Sequence, residues 1–357
     1  MRDTGTATRF LIVGDVHFRG LNPRARTDNY MEAMIKKLYE LFDIAREHQV
    51  EAIVQCGDLF DSPGATWGVV AELAMILQTA PCPVLTIPGN HDIWSGNAES
   101  KHRTPFGLLA KLGIVWDIGE QAYVVDRLGC LWGPIHVSGH GFTSETDTEA
   151  GKGQFQVPVD EYDSADLVDR FNVHVVHSMM LDYSPGFEGM RHTLISEVET
   201  FADVVICGHV HTGFGGNVGS TNNYVVRRDD GVLFINPGAL CRLSASQAEM
   251  DRTVQVALLT IDTEAVSVEA RTDVKLIPLR SAQPGHVVLS REHLEAEVER
   301  SGRLEHFLSL LASEGEAKFL EVRDIVEDLA ARENVPVDVK DEALRRIGVA
   351  RERLGVG

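Results

Sequence analysis

Five short polar clusters carry the residue types from which a metal centre is built. They are Asp15-Val16-His17, Gly57-Asp58, Gly89-Asn90-His91-Asp92, His177-Ser178 and Gly208-His209-Val210-His211. Each follows an apolar run. Asp, Asn and His offer oxygen and nitrogen donors suited to Mn, Fe, Zn or Co. In DVH and HVH, alternation puts two donors on one side of an extended segment. Glycine ahead of a ligand lets the backbone turn tightly. One carboxylate set between two ions can bridge them at the ~3.5–4 Å spacing of two-metal hydrolases. A lone DxH or HxH means little, and a lone strand histidine is usually core. Five such clusters, each ending an apolar run, point to a metal site.

These clusters need elements to hold them. Residues 9–14 (RFLIVG) read as a buried strand. Residues 27–48 carry Met31, Met34, Ile35, Leu38, Leu41, Phe42 and Ala45 at helical spacing, with Thr27 or Asp28 as cap. Residues 52–56 form a second strand, 67–78 a second helix and 83–87 a third strand. The alternation predicts an α/β layered fold. In such sheets ligands gather beyond the carboxyl ends of strands, so distant clusters can converge. Past Val115 the texture shifts to short strand-like runs at 122–125, 130–135, 173–177, 204–207, 233–236, 254–261 and 266–270. They predict a second sheet packed on the first. Residues 143–164 read as a polar surface loop and 213–231 as a hairpin or loop excursion. Pro278, Pro284 and Gly285 mark a linker. We therefore expect one domain over 1–275 and a small, charged, mainly helical module over 276–357, serving as a cap or partner-docking piece.

The 357 residues suffice for about two domains at ~150 residues each. A net charge of −20 argues against gripping nucleic acid by bulk charge. A local basic groove or a partner would have to supply that grip. The cysteines, Cys56, Cys82, Cys130, Cys207 and Cys241, are scattered with no CxxC, which reads as free thiols in a reducing compartment. No apolar stretch is long enough to span a bilayer, and the start MRDTGTATRF lacks a signal-peptide pattern. A cytoplasmic location is expected, with no membrane partner.

The series DVH, GD, GNHD, HS and GHVH resembles the calcineurin-like metallophosphoesterases, over roughly residues 9–268. The resemblance implies a four-layer fold of two packed β-sheets flanked by helices, around two divalent ions. By motif position, Asp15, His17, Asp58 and His211 would hold one ion, with Asp58 bridging. Asn90, His177 and His209 would complete the second. More narrowly, GDLFDSP, NPRARTDNYMEAMIKKLYEL and INPGALCRLSASQ resemble the SbcD-type exonuclease subunit of the bacterial double-strand-break repair complex. That implies a nuclease domain with a smaller capping domain, a homodimer, an SMC-like coiled-coil ATPase partner, and Mn2+ ahead of Fe, Zn or Co. Archaeal and eukaryotic relatives tend to carry His where this chain has Asp61, which leans towards the bacterial or phage branch.

On this reading two ions neutralise a phosphodiester and acidify a bridging water, and hydroxide attacks in line. His91 is the expected general acid for the departing sugar oxygen. Asp92 either orients its second ring nitrogen or caps the turn. Arg24 and Arg26 either touch DNA phosphates or form a solvated pair. Ser178 is expected to orient His177 or its backbone. His136, His140 and His174 read as core or surface, and Asn236-Pro237-Gly238 as a supporting turn. The expected activity is a metal-dependent DNA exonuclease or endonuclease. Its rivals are a phosphomonoesterase or cyclic-nucleotide phosphodiesterase on the same site, and a non-catalytic scaffold for a DNA-bound ATPase.

Overall fold

The computed structural model describes residues 7–126, 133–158, 170–185, 190–215, 223–265, 269–291, 330 and 335–354. β1 (Ala7–Val13) shows why its sheet is covered on both faces. Side chains alternate along a strand. Phe10 and Ile12 accordingly join one core cluster, while Leu11 and Val13 join another rich in helix residues. α1 (Tyr30–Glu47) lays Met34, Leu38, Leu41 and Phe42 into that second cluster. Its cap is Asn29, whose side chain accepts the Glu32 N–H at 3.2 Å, in place of the expected Thr27 or Asp28. Asp28 is engaged elsewhere, as described below.

The chain continues through β2 (Ala52–Gln55), α2 (Trp67–Leu77), β3 (Val84–Thr86), α3 (Pro105–Lys111) and β4 (Trp116–Asp117). Next come β5 (Tyr123–Val125), β6 (Ile135–His140), β7 (Phe171–Ser178) and the short pair β8 (Met180–Leu181) and β9 (Thr193–Leu194). β10 (Val204–His209), β11 (Val225–Arg227), β12 (Leu233–Ile235), α4 (Gln247–Asp251), β13 (Gln255–Asp262), β14 (Thr272–Pro278) and α5 (Gly285–Val288) follow.

Two mixed six-stranded sheets result, ordered β14-β13-β1-β2-β3-β4 and β11-β12-β10-β7-β6-β5. Val54 and Leu85 of the first sheet share a cluster with Val173, Val175, Val204 and Ile206 of the second, which is the core between the sheets. This is the two-sheet, helix-flanked architecture expected. One assignment is corrected. Residues 254–261 do not join the second sheet. β13 returns to pair antiparallel with β1, Phe10 opposite Leu259, and β14 extends that edge. Of the strand expected at 130–135, residues 130–132 lie outside the described residues. β6 starts at the last residue of that range, Ile135, and takes in His136. β11 and β12 form the hairpin expected near residue 231.

The compact unit holding both sheets spans Met1–Arg291. β14 crosses the expected boundary at residue 276. The proposed linker also folds back, since the Thr27 N–H donates to the Val288 carbonyl at 3.1 Å. The second unit, Glu292–Gly357, contains α6 (Val337–Leu354). Most of the rest of the expected helical module lies outside the described residues. Among the described residues no helix is long and apolar enough to cross a membrane.

His174 of β7 is a core histidine, as expected. Its Nε2 donates to the Gln154 carbonyl at 2.9 Å, and Nδ1 lies 2.9 Å from Ser138 Oγ. Burial holds the ring neutral, bringing its pKa down to about 4. The unfolded chain takes up this proton near pH 6.5, and the folded chain resists it until about 4. Stability from this residue is therefore complete above pH 6.5 and lost as pH falls through that window. We expect roughly 2 kcal/mol of loss at pH 5 relative to pH 7. Urea midpoints of His174→Gln, which keeps a polar partner but no titration, should lack that increment.

Candidate metal centre

Five strand ends converge. β1, β2 and β3 of the first sheet deliver Asp15 and His17, Asp58, and Asn90 with His91. β7 and β10 of the second deliver His177, and His209 with His211. The sheets are joined at the centre itself. The His209 N–H donates to Asp15 Oδ1 at 3.1 Å, and His177 Nε2 lies 3.3 Å from Asp58 Oδ2. Such close approach requires glycine at 208, where a Cβ would fall 2.4 Å from the Cys56 carbonyl oxygen and 2.9 Å from Asp15 Oδ1. Among the described residues only six other than glycine have positive φ, and three of them are ligand candidates: His17 (47°), Asp58 (54°) and His209 (86°). Backbone in this region persists where surrounding structure imposes it, and it clusters at functional sites.

The donors form two groups. In the first, His211 Nε2 is 3.3 Å from Asp15 Oδ2, His17 Nε2 is 3.4 Å from Asp58 Oδ2, and the two Nε2 atoms are 3.1 Å apart. In the second, His177 Nε2 lies 3.1 Å from Asn90 Oδ1, and Asp58, His177 and His209 place donor atoms within 4.8 Å of one another. Asp58 stands in both groups, the position a bridging carboxylate needs. His177 Nδ1 donates to the Cys56 carbonyl at 2.7 Å, which leaves the Nε2 lone pair facing the site. His211 Nδ1 faces Glu249 at 3.9 Å, and Arg252 holds Glu249 at 2.9 Å.

The charge balance fits cations. Burial works against charge on Asp15, yet His211, His177 and His17 hold its carboxyl far below the usual range. Asp58 is likewise lowered, against burial, by His177 and His17. Burial also opposes charge on His177, but Asp58 and Asp15 draw its pKa up to about 10. Burial and the neighbouring His177 push His209 down to about 4. Two buried carboxylates thus draw positive charge into the site, carried here by protonated histidine and supplied by a cation when one binds. This hard-to-borderline O and N set suits divalent ions, and all seven sequence-predicted ligands are brought together.

The remaining predicted residues fare differently. His91 stands against His17 with ring centroids 4.7 Å apart, and its Nδ1 lies 2.9 Å from the Asp61 carbonyl. Asp92 does not orient it. The Asp92 carboxylate is buried and accepts three backbone N–H groups, from Leu59 at 3.1 Å, Phe60 at 2.9 Å and Gly89 at 3.0 Å. It caps two ligand loops, the alternative role considered for it. We expect Asp92→Ala to lower stability by roughly 3–5 kcal/mol, because three buried donors lose their acceptor. Urea denaturation measures this, and the acid limb of the pH–rate profile should not move.

Arg26 is corrected as a DNA contact. Its guanidinium is buried and bound bidentately to Asp28, both contacts at 2.7 Å, with Tyr30 beneath it at 5.4 Å. Arg24 is exposed. Ser178 donates to Asp147 at 2.5 Å and so ties β7 to residues 141–148. Asn236 builds the supporting turn, donating to the Val210 carbonyl at 3.0 Å. Asp61 was missed as an organiser. Its carboxylate lies 3.5 Å from His17 Nδ1 and 2.8 Å from Arg19, while its carbonyl holds His91. The signal was its place three residues after Asp58 in GDLFD.

Residues 8–213 match the calcineurin-like phosphoesterase family. No curated protein matches. Among solved structures, the chain is similar to a dimetal phosphatase from Danio rerio at 13% identity, covering 76% of this chain and 96% of that one, with a TM-score of 0.46. It is similar to the calcineurin-like phosphoesterase YfkN from Bacillus subtilis at 11% identity, covering 76% and 91%, with a TM-score of 0.45. It is also similar to the NAD nucleotidase of Haemophilus influenzae at 13% identity, covering 76% and 50%, with a TM-score of 0.41. The family normally binds two divalent metal ions, which this donor set fits. With more than half of its length matched, the chain belongs to the calcineurin-like phosphoesterases, metal-dependent hydrolases of phosphoester bonds.

Proposed function

We propose that the chain is a phosphodiesterase acting on DNA, the exonuclease or endonuclease subunit of a double-strand-break repair or recombination complex. The observation that carries the diester reading is His91. It is exposed at the edge of the ligand cluster, with its Nδ1 2.9 Å from the Asp61 carbonyl and one ring nitrogen within 4.8 Å of donor atoms of His17 and Asp58, close enough to reach a substrate bound there. A proton delivered there serves a poor leaving group such as a sugar alkoxide. Two divalent ions, Mn2+ in our reading, supply charge neutralisation of the phosphate and an acidified water when bound. Asp15, His17, Asp58 and His211 would hold one ion, and Asn90, His177 and His209 the other, with Asp58 between. Arg24 is the loop arginine left to meet a phosphate.

The DNA substrate is supported by GDLFDSP, the 22–41 segment and INPGALCRLSASQ. The same motifs support a homodimer working with an SMC-like coiled-coil ATPase in the cytoplasm. A small phosphoester substrate, monoester or cyclic nucleotide, is favoured instead by the −20 charge and by Arg26 being spent on Asp28. The test uses purified protein with Mn2+ on end-labelled DNA, a chromogenic phosphodiester and a phosphomonoester, with and without the ATPase. DNA degradation is expected. Cleavage of small esters alone, even with the ATPase present, overturns the reading.

A further inference from the structure

We propose that Cys241 supplies a sulfur donor to the first ion position, forming with His17 and His211 a thiophilic set that captures Zn2+- or Cd2+-class ions in preference to Mn2+. This rests on the two-ion reading of the site. One donor atom from each of His17, His211 and Cys241 lies within 4.8 Å of the other two. In a tetrahedral zinc site, bonds of about 2.0–2.1 Å to nitrogen and about 2.3 Å to sulfur put N and S roughly 3.5 Å apart. A small side-chain adjustment closes that gap, and the two imidazole Nε2 atoms already stand 3.1 Å apart.

Cys241 is held there by the ligand loops themselves. The Ala239 N–H donates to the His211 carbonyl at 3.0 Å and the Leu240 N–H to the Asp15 carbonyl at 2.9 Å. Lys37 Nζ holds the Leu240 carbonyl at 2.5 Å, and Arg252 holds that of Cys241. The segment is therefore fixed on both sides of the thiol. A second observation sets this thiol apart. Cys56 and Cys207, equally buried, donate their S–H to backbone carbonyls. Cys241 is 0% exposed, yet its sulfur makes no hydrogen bond among the described residues. It is a buried thiol with no hydrogen-bond partner among the described residues, within 4.8 Å of one nitrogen from each of two imidazoles.

The chemistry selects by softness. Thiolate favours Zn2+ and Cd2+, whereas Mn2+ prefers oxygen donors. On capture the thiol proton leaves to solvent and a sulfur lone pair forms the new bond, with no change of oxidation state. Asp15 and Asp58 then share His17 and His211 with a sulfur-bound ion, so zinc loading should quiet a centre that manganese activates.

The test is optical, on metal-free full-length protein titrated with Co2+. Wild type and Cys82→Ser, which alters a thiol outside the cluster, should develop a thiolate-to-cobalt charge-transfer band, and Cys241→Ser should not. In dialysis against equal Zn2+ and Mn2+, the bound Zn:Mn ratio should fall about tenfold or more in Cys241→Ser, with Mn2+ uptake unchanged. Cys241→Ala serves if the serine variant misfolds. The wild-type arm stands without either variant: Co2+ uptake with no band overturns the proposal. So does a band of equal strength in Cys241→Ser. Folded wild type that takes up neither Co2+ nor Mn2+ refutes the two-ion reading, and the sulfur site with it.

Discussion

Asp58→Asn is expected to lower kcat by about 10⁴ or more while the protein stays folded. Asp58 is shared by both donor groups, so its charge faces His17 at 3.4 Å and His177 at 3.3 Å. Asparagine removes that charge and keeps the shape. The residue sits at φ 54°, a conformation that Asn tolerates and a β-branched residue does not. Its side-chain oxygen can still accept the His91 N–H, now 2.8 Å from Asp58 Oδ1. Folding should therefore persist by circular dichroism while bound metal falls below two per chain. Full activity would refute the assignment of the site.

His91→Ala should separate substrates by leaving group. On DNA or any diester with an alkoxide leaving group, the loss should be about 10²–10⁴ in kcat. On a p-nitrophenyl diester it should be slight, because the phenolate departs without a proton. Metal content decides between an acid and a ligand, because one His91 ring nitrogen also lies within 4.8 Å of donor atoms of His17 and Asp58; a general acid leaves it unchanged. Equal losses on both substrates would make His91 a ligand or a positioning residue and remove the general acid from the proposal.

The convergence of the candidate ligands was legible because each closes an apolar run, and parallel strands point their ends the same way. Asp15, Asp58 and Asn90 follow adjacent strands β1, β2 and β3, and His177 and His209 lie on the adjacent strands β7 and β10. What failed was pairing over long range. Nothing local to residues 255–262 says that they return to β1, because an antiparallel strand looks alike in either sheet. Asp92 misled through adjacency: a neighbour in sequence to His91 spends its carboxylate on three N–H groups from two loops. Arg26 was readable in hindsight, since Asp28 two residues on is a local bidentate partner. Asp61 works partly through its carbonyl, which carries no side-chain signature at all.

The return of β13 to β1 has a consequence for synthesis on the ribosome. Asp15 and His17 emerge long before residues 255–262, and β1 lacks its antiparallel neighbour until those are made. The Asp15 carbonyl likewise waits for the Leu240 N–H, and the Asp15 carboxylate for the His209 N–H. Pairings so distant in sequence form late and slowly. A nascent chain therefore carries Asp15, His17, Asp58 and Asn90 long before His177, His209 and His211 can close the site, and the hydrolase gains its activity only once the whole two-sheet unit has been translated.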